Sequence, residues 1–65
     1  MECYIRKIDE KTKEFKNIYF NKHLFENKNH WTTRDEAKIF SSVLEARKTI
    51  KKYKLKNVAV EKIKL

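Results

Sequence analysis

The sequence predicts an α+β domain in which one helix packs on one face of a small, mostly antiparallel sheet of three or four strands. Three observations lead to this prediction. Two short runs rich in β-forming residues stand near the N-terminus, at 2–8 and 14–20. A later segment, beginning after Ser42, has the apolar spacing of an amphipathic helix. A last β-prone run follows that segment closely, so the predicted order is ββ(β)αβ.

The length predicts a single domain, 1–65, with a small core. At 65 residues folding buries only about 60% of the surface that the unfolded chain exposes. The sequence contains one cysteine, Cys3, so no intramolecular disulfide can form. With no signal peptide and no long apolar run, we expect a cytoplasmic protein that does not span a membrane.

The first two β-prone runs are predicted to form an antiparallel hairpin. A polar connection, DEKTKE, separates residues 2–8 from residues 14–20, and such a short polar loop between two strands is typical of a hairpin. Cys3 and Ile5 share one face of the first strand, while other apolar residues lie on the opposite face. Both faces are therefore partly apolar, as expected of a sheet that a helix covers on one side.

The chain contains no glycine and no proline, so other residues must form its turns. Asparagine tolerates the left-handed backbone region better than most residues. Turns are therefore predicted at four asparagines: Asn21, Asn27, Asn29 and Asn57. The lack of glycine also argues against phosphate-binding loops of the P-loop and dinucleotide-binding types, which need close approach of the backbone to the ligand.

The segment WTTRDEAKIFSSVLEA, residues 31–46, contains two patterns that predict the start of a helical turn. Thr33 with Glu36 matches a capping box, and so does Ser42 with Glu45. The first predicts a short helical turn, and the second predicts the start of the main helix.

The same segment contains the single tryptophan, Trp31. We expect its large ring to close one end of the core, and the alternative is an exposed ring on which a base or ligand stacks. The helical turn is predicted over 34–37. An extended link should follow and place Ile39 or Phe40 in the core.

The main helix is predicted from residue 43 to about residue 53, and the final strand within NVAVEKIKL, residues 57–65. Apolar positions in the strand change phase between Val60 and Ile63, which a bulge or a strand apolar on both faces would explain. The residues expected to turn the helix towards the sheet recur at intervals of three and four: Val43, Ala46, Ile50 and Tyr53.

The charge of the chain is strongly asymmetric. The formal net charge is +8, from 17 basic and 9 acidic residues. Residues 1–37 carry 8 basic and 7 acidic groups, net +1, whereas residues 38–65 carry 9 basic and 2 acidic groups, net +7. A basic surface attracts nucleic acid or an acidic protein. The alternative is a lysine coat without a specific partner, because lysine-rich compositions also occur in proteins of AT-rich genomes.

The predicted function is non-enzymatic binding of nucleic acid, without sequence specificity, through a lysine-rich helix face. The predicted nucleic-acid-binding residues are Arg47, Lys48, Lys51, Lys52, Lys54 and Lys56, and two lysines of the last run, Lys62 and Lys64, are further candidates. The alternative is a protein–protein interaction module that uses an exposed sheet edge or exposed apolar residues. It would inhibit or regulate a host protein, or self-associate into a homo-oligomer. The residues predicted for that role are Phe15, Tyr19, Leu24 and Phe25.

No metal site, small-molecule cofactor or catalytic site is predicted. Cys3, His23 and His30 are the only soft metal ligands, and no two of them have the spacing of a zinc motif. Cys3 is expected to be a small core residue. A core this small rarely encloses a pocket in which carboxylates perform acid–base chemistry.

One pattern across the chain resembles small phage and mobile-element proteins of low-GC Gram-positive bacteria. It combines an N-terminal hairpin, a basic helix and a final strand with the residues Trp31, Thr32, Ala37, Phe40, Ser42, Glu45 and Ala46. The resemblance implies a compact ββαβ-like domain with no catalytic residues to transfer. It also favours a role in evading or redirecting a host process.

Overall fold

The computed structural model describes residues 1–21 and 31–63, which form a four-stranded antiparallel sheet and one α-helix. The elements are β1 (Cys3–Ile8), β2 (Phe15–Phe20), β3 (Trp31–Thr32), α1 (Val43–Lys52) and β4 (Val58–Lys62). The strand order is β3-β2-β1-β4, and each neighbouring pair is antiparallel. The helix packs on one face of this sheet. The predicted α+β fold and its order ββ(β)αβ are thereby confirmed.

The predicted hairpin is formed by β1 and β2, and Asp9 organises its turn. The Asp9 carboxylate accepts hydrogen bonds from the backbone N–H groups of Lys11 and Thr12, at 2.8 and 3.0 Å. These bonds favour the ionised form and lower the pKa of Asp9. The pairing of β1 with β2 shifts register between Arg6 and Ile8.

The strand β4 is regular, so the bulge considered for it is wrong. It pairs with β1 in one continuous register from Val58 to Lys62. Ile63 follows the strand, and its N–H donates to the carbonyl of Glu2 at 2.9 Å. Because side chains alternate along a strand, Ala59 and Val60 face opposite sides. The second explanation, a strand apolar on both faces, is the one that holds.

The core lies between α1 and the sheet. Its buried members are Cys3, Ile5, Phe20, Phe40 and Ala46. Further apolar residues pack against them: Trp31, Val43, Ile50, Tyr53, Leu55, Val58 and Val60. The predicted inner face of the helix is confirmed by this arrangement. Trp31 is half-buried and meets Phe20 edge to face, with ring centroids 5.9 Å apart, so its predicted role in closing the core is confirmed.

The link between the helical turn and α1 inserts between the ends of β1 and β2. Phe40 forms an antiparallel bridge with Cys3, and Ala37 forms one with Asn21. Phe40 is 3% exposed and Ile39 is 51% exposed. The extended link was predicted, and Phe40 is the residue that it places in the core.

The turns of the structure coincide only partly with the asparagines at which they were predicted. Asn57 has a positive φ of 55°, as predicted, and two lysines, Lys13 and Lys54, have φ values of 63° and 53°. The turn predicted at Asn21 is wrong, because this side chain is 2% exposed and its backbone pairs in the sheet. The other two predicted turn residues lie outside the described ranges: Asn27 and Asn29.

The two capping boxes have different outcomes. The hydroxyl of Ser42 accepts a hydrogen bond from the Glu45 N–H at 3.2 Å, so the predicted start of α1 is confirmed. The Glu45 carboxylate binds Ser41 instead of Ser42, through the N–H and the hydroxyl, and these bonds lower the pKa of Glu45. A 3₁₀ helix spans Arg34–Glu36, but among the described residues the side chain of Thr33 makes no capping hydrogen bond.

Candidate functional site

The outer side of α1 carries the predicted basic site. Ala46 is completely buried against the sheet, and the 3.6-residue period therefore turns the following cationic residues towards solvent. All of the predicted cations are exposed, and two of them continue the set beyond the helix end. We call this set the basic helix surface: Arg47, Lys48, Lys51, Lys52, Lys54 and Lys56.

Among the described residues, the cations of the basic helix surface form no salt bridge, although Glu45 lies close enough to Lys48 to interact with it electrostatically. In the described parts of the chain, the salt bridge within 4.0 Å is Arg6–Glu61, and no cation of the basic helix surface takes part in one. The acidic residue of α1, Glu45, lies in the first turn and is held by Ser41. The positive charge of this surface is therefore not neutralised by ion pairs among the described residues.

Two lysines of this surface also have a structural role. Lys51 and Lys52 lie in the last turn of α1, where a cation interacts favourably with the negative end of the helix dipole. The Lys52 ammonium is 5.5 Å from the centre of the Tyr53 ring. The presence of these two lysines is therefore explained without a ligand. The lack of salt bridges on the basic helix surface is the stronger indication that it binds an anionic partner.

Arg47 lies beside a groove between α1 and β4. The groove is lined by Val43, Arg47, Ile50, Val58, Ala59, Val60 and Lys62. Its floor is apolar and its rim carries two cations. Sequence reasoning did not identify this groove, because it depends on how the helix lies relative to an edge strand.

A second feature, on the sheet face opposite α1, was not predicted. The Arg6 guanidinium lies between the rings of Phe15 and Tyr19, 4.8 Å from each centroid. Its Nη1 donates to Glu61 at 2.7 Å, where the two side chains are 13% and 30% exposed. Its other nitrogens donate to the Asn17 side chain at 3.0 Å and the Lys16 carbonyl at 2.9 Å.

This arginine–aromatic cluster has a structural role. Each of the three nitrogens of Arg6 donates one hydrogen bond within the chain, and these bonds hold the guanidinium between the two rings. Arg34 stacks over Tyr4 at 6.0 Å and hydrogen-bonds it, which raises the pKa of Arg34. Strand phase is the signal that could have indicated the cluster, because Tyr4 and Arg6 alternate with the core residues Cys3 and Ile5.

The residues predicted for protein interaction are only partly on an accessible surface. Phe15 is 45% exposed, but Tyr19 is 4% exposed and covered by Arg6 and Tyr4. Tyr19 is therefore a correction, since a buried ring is not available to a partner. The remaining two predicted residues lie outside the described ranges: Leu24 and Phe25.

Cys3 is a core residue, as predicted. It is completely buried, and its thiol donates to the carbonyl of Ser42 at 3.4 Å. Burial raises its pKa, and a thiol that resists ionisation is a poor nucleophile. His23 and His30 lie outside the described ranges.

The described residues contain neither a cluster of metal-binding side chains nor a membrane-spanning helix. No group of three or more histidine, cysteine, aspartate or glutamate side chains in residues 1–21 and 31–63 could hold a metal ion. Within the same ranges, no helix has the length and apolar character needed to cross a bilayer.

No family model, no curated protein and no solved structure matches this chain. The resemblance to phage and mobile-element proteins therefore stays a prediction.

Proposed function

We propose that this protein binds nucleic acid without sequence specificity through the basic helix surface. The observation that supports the proposal is the set of exposed cations along α1 and its exit, none of which has a carboxylate partner among the described residues. Cations held close together repel one another. A polyphosphate would relieve that repulsion and release its own counterions, which is the main source of non-specific affinity.

The composition of the surface supports weak base discrimination. Five of its six members are lysines, and Arg47 is its one arginine. Lysine acts as a compact positive charge on a flexible stem, whereas direct reading of base edges depends on planar side chains such as arginine, asparagine and glutamine. The proposed contacts are therefore to phosphates.

The proposal includes a binding role without catalysis or a resident cofactor, and a cytoplasmic location. The burial of Cys3 supports the first part, because it removes the thiol from contact with a substrate. The proposed location follows from the proposed ligand, because nucleic acid is accessible in the cytoplasm.

The direct test neutralises three neighbouring lysines of the helix: Lys48→Gln, Lys51→Gln and Lys52→Gln in one variant. Fluorescence anisotropy with a labelled 20-base-pair duplex, from 50 to 200 mM NaCl, gives the affinity and its salt dependence. The logarithm of the binding constant falls linearly with the logarithm of the salt concentration, and each lost phosphate contact makes this slope less steep by about 0.9. We expect the slope of the triple variant to be less steep by about 3. Its affinity at 50 mM NaCl should be strongly reduced.

The matched control neutralises three exposed lysines of the hairpin: Lys11→Gln, Lys13→Gln and Lys16→Gln. Both triple variants have a formal net charge of +5, because each loses three charges from +8. The control should retain most of the affinity of the parent. Equal losses in the two variants would show an effect of net charge alone, and parental affinity in the helix variant would refute the proposed surface.

A further inference from the structure

The free edge of the sheet at β4 offers unpaired backbone groups. Among the described residues, β4 pairs with β1 and has no strand on its other side. The Ile63 N–H donates to Glu2 and the Ile8 N–H donates to Asn57, so the odd-numbered residues from 57 to 63 form the hydrogen-bonded pairs with β1. The backbone groups of the even-numbered residues therefore point away from β1: Val58, Val60 and Lys62.

The side chains of the same three residues line the groove between β4 and α1. The groove has a volume of about 340 Å³. Val43 and Ile50 of α1 and Val58 and Val60 of β4 provide its apolar surface. The cations Arg47 and Lys62 stand at its rim, and both are exposed.

We propose that this edge binds an extended acidic peptide of a partner protein by β-strand addition. The backbone of the peptide would pair with the outward N–H and C=O groups of β4. Every second side chain would then lie over the groove, because side chains alternate along a strand. Apolar side chains fit the valine and isoleucine floor, and carboxylates fit the cationic rim.

Charge decides between this peptide and a second copy of the chain as the occupant. Pairing of two β4 edges would bring the Arg47 and Lys62 rims of both copies together, and each copy has a formal net charge of +8. The one carboxylate of β4, Glu61, is bound by Arg6 on the opposite face of the sheet. An acidic strand complements the rim, whereas a second copy is repelled by it.

This inference goes beyond the proposed nucleic-acid binding and shares one residue with it, because Arg47 belongs both to the basic helix surface and to the rim of the groove. A nucleic-acid strand has no alternating amide N–H and C=O groups that could extend a sheet. Lys62 is also outside the basic helix surface, so a substitution there affects the groove and leaves the six proposed phosphate contacts in place.

Two synthetic peptides test the proposal: acetyl-TETVTIT-amide and acetyl-TKTVTIT-amide, each with a fluorophore. In antiparallel pairing, the glutamate or lysine lies opposite Lys62, and the valine and isoleucine lie opposite Val60 and Val58. The parent should bind the glutamate peptide more tightly. In Lys62→Glu the preference should reverse. The affinity should fall roughly fivefold for the glutamate peptide and rise roughly fivefold for the lysine peptide, which is the size of one favourable surface ion pair. The control Lys16→Glu has the same charge change on an exposed site of β2 and should keep the parental preference.

Hydrogen exchange of individual backbone amides gives a second readout. Saturation with the glutamate peptide should slow exchange at Val58, Val60 and Lys62. Exchange at Ala59 and Glu61 should change little, because their N–H groups already pair with β1. Equal affinity for the two peptides, or no protection of the three outward amides, would overturn the proposal. Protection of those amides in the free protein that rises with protein concentration would identify a second copy as the occupant and would also overturn it.

Discussion

Lys54 occupies a backbone position that usually belongs to glycine. It follows the C-terminal end of α1 with φ of 53°, while its N–H donates to Lys51 and the Leu55 N–H donates to Ile50, at 3.3 and 3.0 Å. This pattern is a Schellman motif, and the half-buried Leu55 supplies its apolar contact. In a chain without glycine, a lysine takes the left-handed conformation at a cost of about 1–2 kcal/mol.

Lys54→Gly should therefore stabilise the protein. Glycine relieves the left-handed backbone but adds freedom to the unfolded chain, so we expect a net gain of about 0.5–1 kcal/mol in the free energy of unfolding. Urea unfolding at 25 °C measures this change. The control is Lys56→Gly, which removes the same charge two residues later, where φ is not positive, and should be destabilising. Equal effects of the two substitutions would contradict the conformational explanation.

The hydroxyl of Ser42 caps the start of α1. Ser42 accepts the hydrogen bond of the Glu45 N–H, so Ser42→Ala should lower the free energy of unfolding by about 1 kcal/mol. Thr33→Ala is the matched control, since Thr33 stands in the same sequence pattern but makes no capping bond among the described residues. Its cost should stay below about 0.3 kcal/mol, within the range of ordinary surface substitutions. Thermal and urea unfolding of both variants check the difference, and similar costs would show that the hydroxyl bond at Ser42 contributes little.

The helix and strands could be predicted from the sequence because each depends on local periodicity. The apolar spacing of Val43, Ala46 and Ile50 survives in the structure as the buried side of α1. The capping box at Thr33 failed because a 3₁₀ turn of three residues offers different N–H positions from an α-helix. The turn predicted at Asn21 failed because the preference of a residue for turns gives way to pairing with a distant segment.

The surfaces of the whole molecule also differ in how far the sequence predicts them. The basic helix surface was predictable because its cations are close in sequence and one helix places them together. The arginine–aromatic cluster was not, because Arg6 and Glu61 meet only through the pairing of the first and last strands. The groove beside β4 requires both the strand order and the position of α1. A sequence pattern contains neither before the fold is known.

Charge is distributed differently over the two ends of the molecule. On the hairpin, lysines alternate with the carboxylates of Asp9, Glu10 and Glu14, so positive and negative groups are neighbours. On α1, the cations follow one another and the single carboxylate is held at the helix start. Self-repulsion is thus concentrated on the basic helix surface, and this surface should determine how the stability of the whole protein responds to salt.

We therefore expect the free energy of unfolding of the parent to rise between 10 and 500 mM NaCl, because salt screens repulsion within the folded state. The helix dipole opposes this effect, but its end carries only about half an elementary charge, whereas each lysine of α1 has several full like charges nearby. The rise in the free energy of unfolding should be smaller in the helix variant (Lys48→Gln, Lys51→Gln and Lys52→Gln) than in the hairpin variant. The hairpin variant (Lys11→Gln, Lys13→Gln and Lys16→Gln) has the same net charge. Urea unfolding at the two salt concentrations measures the rise. A salt response that is equal in the two variants would show that repulsion is spread over the molecule, and that the basic helix surface is not its centre.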